Sequence, residues 1–352
     1  MTDVAGPARL RAWTVLVGLA AVLAAAIAGI ALGPVRLPPG GVALQLLDLL
    51  PGVRLHSGLS TQQAAIVTEL RLPRVVLGLL VGAMLALAGG TYQGVFRNPL
   101  ADPYLLGVAS GAGLAVTAVV AFRSVTGDVT VGLPFTVPVA AFAGAVGAVL
   151  LTYLVGASGG RSRSPATLLL AGVAVSAFLT AGQTYLLQRN AETIRDVYAW
   201  LGGRLSTAGW HDVLLMLPYV VLTMAVVLLH RRELDVLSVG DEEARGLGLH
   251  PQRSRYVLLA AAALGTAAAV SVSGLIGFVG IVVPHAVRLV FGSTYRVILP
   301  LSMLFGAAFL ALTDAAARTL AAPTEIPISV LTALVGAPFF VFVLRNSRRE
   351  FR

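Results

Sequence analysis

With 352 residues, of which 57% are hydrophobic and only 12% charged, and a mean hydropathy of +0.87, the chain is too oily for a water-soluble domain, where about a quarter of residues carry charge. A net charge of +9 would suit nucleic acid, but the arginines stand scattered at the ends of apolar runs and build no basic face; they read as topology signals. All 25 basic residues are Arg and there is no Cys, which excludes a Walker A lysine, Schiff-base chemistry, disulfides and thiolate-held metals.

In chain order, residues 1–12 form a short polar tail with Arg9 and Arg11, followed by the apolar run Trp13 to Gly33. At about 1.5 Å per residue this run spans a hydrocarbon core of roughly 30 Å. Ala26-Ile27-Ala28 imitates a leader-cleavage site, but the run is long for a cleaved leader, so a retained first helix is favoured. Residues 34–63 are mixed and proline-bearing, and read as an extramembrane loop with a short amphipathic piece around Val42 to Leu50.

The stretch Leu70 to Gly113 organises the rest. Arg71-Leu72-Pro73-Arg74 sets two guanidiniums at the mouth of an apolar run, with Pro73 suited to the opening turn of a helix, where its missing N–H has no intrahelical partner. From Val75 to Phe96, Gly78, Gly82, Ala86 and Gly90 recur every four residues, a row that lets another helix backbone approach closely in lipid. Then comes a polar elbow, Arg97-Asn98-Pro99-Leu100-Ala101-Asp102-Pro103, whose two prolines force a turn.

Further apolar runs lie at Leu105–Phe122, Pro134–Gly156, Ala166–Leu187, Val213–Leu229, Tyr256–Ser273, Leu275–Phe291, Ile298–Ala317 and Ile326–Leu344. The expectation is an all-α polytopic membrane protein of about ten spans, some short enough to be half-helices, in a single transmembrane domain over 1–352. With both termini cytoplasmic, sixteen arginines face inward, among them Arg97, the Arg231–Arg255 group and the tail 345–352, and nine face outward, among them Arg71, Arg74 and Arg318. That balance obeys the positive-inside rule.

Two polar segments stand out. On the outer side, residues 188–210 form either a short helix over a pore mouth or an interfacial loop anchored by Trp200 and Trp210. On the inner side, residues 231–255 hold the densest charge. Ser238 or Gly240 can cap a helix opening on Asp241, Glu242 and Glu243, continuing through Ala244 and Arg245 and ending at Gly246 or, past Leu247, at Gly248. Such a helix suits docking of a cytoplasmic partner, and equally a solvated connector.

Ionisable residues within spans are few. Asp314 and Arg318 stand four apart and can pair across one turn; His285 and Arg288 follow Pro284. An ion-coupled secondary transporter needs acids near the bilayer midplane, and almost none are present. The five His never pair at ligand spacing, so neither a metal nor a haem site is expected, and no polar cluster suggests a catalytic residue.

Together, RLPR followed at fixed distance by RNPLADPYLLG, the inner charged loop, SGLIGFVGIVVPHAVRL (Ser273–Leu289) and PTEIPISVLTALVGAPFF (Pro323–Phe340) resemble the FecCD family, over about residues 64 to 345. The resemblance implies the ten-helix permease of type II ABC importers in a bacterial inner membrane. It would act as a homodimer, with two ATP-binding subunits that hold ATP and Mg, and a periplasmic or lipid-anchored substrate-binding protein. The cargo would be a ferric siderophore or haem, with vitamin B12 as the alternative. It further implies that Arg71, Arg74 and Arg318 receive acidic residues of the binding protein, that Asn98 and Leu100 help form the cytoplasmic gate, and that the Asp241–Gly248 segment docks on the ATPase. The pore would be lined in part by Ser176 and Thr180, in a largely apolar path that alternates its access and holds cargo weakly.

Overall fold

The computed structural model describes residues 10–35, 37–48, 52, 55–126, 135–158 and 165–350. Most of the 1–12 tail, Arg36, Arg54, Arg161, Arg163 and the last two residues of the 345–352 tail lie outside them. The helices in order are α1 (Ala12–Ala31), α2 (Pro39–Asp48), α3 (Thr61–Phe96), α4 (Val108–Thr126), α5 (Thr136–Ser158), α6 (Pro165–Arg189), α7 (Ile194–Leu201), α8 (Trp210–Leu229), α9 (Arg231–Val239), α10 (Asp241–Gly246), α11 (Pro251–Ser273), α12 (Val279–Phe291), α13 (Tyr295–Thr319) and α14 (Ile328–Glu350). Seven are long and apolar enough to cross a membrane, and α4, α12 and α14 contribute shorter apolar stretches. The described residues thus supply the ten expected spans, and among them there is no strand.

The centre of the molecule is α3. Every residue from Met84 to Phe96 is buried, enclosed by α8, α11, α12 and α13. The small-residue row, with Gly89 beside it, explains how neighbours come so close. A methyl added at Gly82 in the row would lie 2.3 Å from the carbonyl oxygen of Gly306 on α13, and one at Gly89, one position off it, would lie 1.9 Å from that of Gly280 on α12. Gly78, in the same row, has only ordinary contacts. At the periphery, α1, α5 and α6, and also α8 on the side away from α3, leave large apolar side chains uncovered, Leu170 and Phe178 of α6 among them, as surfaces bathed by lipid or by another apolar chain do.

Three details add to the expectations. The α-helical run does open at Leu72 with Pro73 in its first turn, but the continuous helix α3 begins further back at Thr61, inside the expected 34–63 loop, where Ser60 and Gln63 form a reciprocal capping box. Proline is tolerated in the interior because residues 66–71 widen into a π-helix. In that pattern the carbonyl of Thr68 would accept from residue 73, which has no N–H, and the indole N–H of Trp210 donates to it instead at 3.0 Å. Second, the 345–352 tail continues α14 as helix as far as Glu350. Third, Trp200 is no interfacial anchor but a buried core residue on the inward side of α7, the short helix that residues 188–210 do contain.

The elbow and the segment 274–278 are both unwound, and they clasp each other. The Tyr104 hydroxyl donates to the Ile276 carbonyl at 2.9 Å and accepts its N–H at 3.1 Å. Pro103 lies against Gly280 so closely that a side chain there would collide at 2.6 Å. Gly274 takes φ of +68°, a conformation suited to glycine. Helices α4 and α12 each start from this clasp, which accounts for their shortness.

Candidate functional site

Polar chemistry gathers at the two ends of the bundle. At one end, Arg71 and Arg74 rise from α3 and Asp314 and Arg318 from α13, where the spacing of four brings the last two within 3.1 Å. Arg74 donates to Asp314 through Nε at 3.0 Å and Nη2 at 2.8 Å, and reaches both oxygens of Glu325 at 2.9 Å. Arg71 and Arg318 meet the end of α1: Arg71 donates to the carbonyls of Ile30 at 2.7 Å, Ala31 at 3.1 Å and Val35, and Arg318 to those of Gly29 at 2.9 Å and Leu32 at 3.4 Å. The last carbonyls of a helix have no intrahelical donor, and cations there meet the negative end of its dipole.

The structure therefore brings Arg71, Arg74 and Arg318 together, as their numbering on one side predicted, but it does not leave them exposed. All three are buried and engaged within the chain. Glu325, which the sequence reading did not single out, is the half-exposed member of the group, with 36% of its side chain accessible. Arg74 holds its carboxyl below the ordinary range. A cavity of about 190 Å³ opens beside Arg74, Asp314 and Glu325. Nearby, a larger one of about 640 Å³ lies between α4, α7 and the Gly203–Thr207 loop, floored by Val116, Val120 and Trp200 and edged by Arg123, Glu192, Asp196 and Arg204. Three members of that charged edge belong to the polar segment 188–210 already singled out in the sequence, and only Arg123 comes from a separate one, at the end of α4.

At the opposite end the elbow meets the charged segment. Asn98 is half-buried, its Oδ1 accepting the Leu100 N–H at 2.9 Å, and the Leu100 side chain is exposed. Within the elbow, burial pushes the Asp102 carboxyl up to about 6. The charged segment holds two helices where one was expected. Gly240, at φ +156°, separates α9 from α10, and Ser238 does not cap, donating instead to the Asp235 carbonyl at 2.6 Å. Helix α10 carries Asp241 to Gly246 and closes past Leu247 at Gly248, whose φ is +82°. Asp241 accepts from Arg97 and, through both oxygens, from Arg255 at 2.5 and 2.7 Å, which holds its carboxyl low. Glu242, Glu243, Arg245 and Leu247 face outward; Ala244 is buried. Asp235 ties α9 to the start of α13, accepting from the Tyr295 N–H at 2.6 Å and Arg296 Nε at 3.1 Å.

Ser176 and Thr180 sit on α6. Ser176 is half-buried, close enough to Gly107 that a methyl there would lie 3.6 Å from its hydroxyl, and Thr180 is exposed.

Ten apolar helices around a glycine-packed centre, with a charged double helix at one end bonded to a polar elbow, define the membrane permease of a transport machine. The chain belongs to the FecCD transport family, whose match spans residues 19–346, and it is an ABC importer permease subunit of the type II fold. It is 46% identical to the cobalamin import system permease BtuC of Halobacterium salinarum, over 89% of this chain and 82% of that one. It is 36% identical to the Fe(3+)-citrate import system permease YfmD of Bacillus subtilis, over 89% and 90%. A solved metal-chelate type ABC transporter in an inward-facing conformation superposes with a TM-score of 0.78 at 30% identity, covering 94% of this chain and 98% of that one.

Proposed function

We propose that two copies of this chain form the import path for a metal chelate across a bacterial inner membrane, with both termini cytoplasmic. ATP and Mg are bound and ATP is hydrolysed by two partner subunits, and a substrate-binding protein delivers the cargo from outside. The observation that carries this reading is the bonding of Arg97, at the root of the elbow, to both helices of the charged segment, through the Leu237 carbonyl at 2.8 Å and the Asp241 carboxylate. A segment that rides on the ATPase could in this way reach Asn98 and Leu100, the proposed gate. The uncovered apolar face of α6 suits a second copy, with Ser176 and Thr180 facing the path between them.

Docking of the binding protein on Arg71, Arg74 and Arg318 requires an exchange of partners. We assign the exchangeable position to Glu325: a carboxylate of the docking protein displaces it from Arg74, while Asp314 and the α1 carbonyls hold the guanidiniums in place.

For the cargo, a ferric siderophore or haem is the first reading, in keeping with the ferric citrate relative. Cobalamin is the second, favoured by the 46% identical relative. Uptake of iron-labelled chelates, haem and cobalamin into proteoliposomes holding the assembled transporter decides between them. Accumulation of one of the three identifies the cargo, and accumulation of none with ATP turning over refutes the metal-chelate reading.

A further inference from the structure

The described residues fasten the charged segment to the bundle through Asp235, Asp241 and the Leu237 carbonyl, and these fastenings are not alike. Asp235 binds α9 to the start of α13. Asp241 binds α10 to Arg255 in the first turns of α11, through two bonds and with the Arg255 side chain only 8% exposed. Asp241 also binds Arg97, whose side chain is 38% exposed and which makes a single bond to it. Among these fastenings, those made by Arg97, to Asp241 and to the Leu237 carbonyl, reach the elbow.

Arg97 itself is unusual. It ends α3 in the left-handed conformation, with φ 49° and ψ 37°, which a side chain other than glycine adopts at a cost of order 1 kcal/mol or more and keeps only where its surroundings hold it there. Its Nε donates to the Leu237 carbonyl of α9. The residue that sets the direction of the elbow is thus held by both short helices, while Asn98 and Leu100 follow it directly in sequence.

We propose that Asp241 is a two-armed transmission residue: its Arg255 arm is the fixed hinge of the ATPase-facing helix, and its Arg97 arm passes that helix's displacement to the elbow carrying Asn98 and Leu100. This rests on the permease reading above and adds to it a residue and a path. Arg255 keeps Asp241 ionised, so the Arg97 arm is charge-assisted whatever the helix does. If α10 swings about the buried hinge, Arg97 must follow or release, and either motion frees a backbone that is otherwise held out of its preferred region.

The test uses the complete complex, the two copies with ATP-binding subunits and binding protein. Because the chain has no Cys, Leu100→Cys carries one spin label per copy for the distance, while uptake and ATP turnover are measured on chains that keep Leu100. The distance between the two labels is measured without nucleotide and with ATP trapped by vanadate. In the otherwise native chain the distance changes. In Asp241→Asn the change is lost and ATP-driven uptake falls about tenfold or more, while ATP turnover is retained, and Asp241→Glu restores uptake. Arg97→Gln, which leaves the hinge intact, reproduces the loss and decides the matter if Asp241→Asn does not assemble. An unaltered distance change and unaltered uptake in Arg97→Gln overturn the proposal. A native complex that neither assembles with an ATPase nor responds to ATP instead overturns the permease reading beneath it.

Discussion

Glu325 and Arg74 show how one residue's pairing bears on both stability and docking. Arg74 lowers the Glu325 carboxyl below its ordinary 4.5, so the native pair binds fewer protons than the unfolded chain near that pH. Its stabilisation is present above the ordinary value and lost as pH falls through the lowered one. Thermal unfolding of the detergent-solubilised protein should therefore show a Tm difference between native and Glu325→Gln at pH 7 that shrinks as pH falls below the ordinary glutamate value and is lost once the lowered one is passed; a difference that grows on acidification contradicts the pairing. The same variant weakens the internal competitor for Arg74. It should tighten docking of the binding protein about fivefold at low salt, corresponding to ~1 kcal/mol, with the gain shrinking as salt rises. Unchanged docking would remove Glu325 from the exchange. Of this group the sequence revealed the Asp314–Arg318 pair, because a separation of four on a helix is a contact. It did not reveal Glu325, since a lone acid between prolines in PTEIP carries no periodicity and its partner lies 251 positions away.

Among the helices, glycine decides how closely α3 packs, and the effect differs along its length. Gly89→Ala forces a methyl into the Gly280 carbonyl, a backbone group that cannot swing aside. It should cost about 1–3 kcal/mol or more and lower Tm and yield. Gly78→Ala, whose new methyl meets Leu205 at an ordinary 3.7 Å, should be neutral or mildly stabilising by helix propensity; equal losses for both would show that α12 does not lie where described. The four-residue row from Gly78 to Gly90 was legible as a close-approach face, whereas Gly89, one position off the row, was not, because it serves a different neighbour. The span pattern was readable from hydropathy nearly throughout. The start of α3 was not: Pro73 marks where the α-helical run opens, and what carries the helix back to Thr61 is a π-helical turn with an indole 142 positions distant on the Thr68 carbonyl, neither of which leaves a local mark.

Across the whole molecule, the segregation of function follows from placement. The Arg71–Arg74–Arg318 cluster and the Asp241 segment lie at opposite ends of α3, joined by a core in which few ionisable groups occur among the described residues. The composition showed that such a chain lacks its own nucleotide loop, and the scatter of arginines assigned its ends to the two sides of a membrane. Which side chains of those ends stay free was beyond it, because burial of Arg71, Arg74 and Arg318 depends on where α1 terminates. The central claim is that this protein is a conduit driven by other chains. It is tested most directly by cargo uptake into proteoliposomes holding the chain alone, under a proton or sodium gradient, beside vesicles holding the same chain with its ATP-binding subunits and binding protein. The account predicts accumulation only in the second set and only with ATP inside the compartment that the Asp241 helix faces; accumulation by the chain alone, collapsing with the ion gradient, would contradict it.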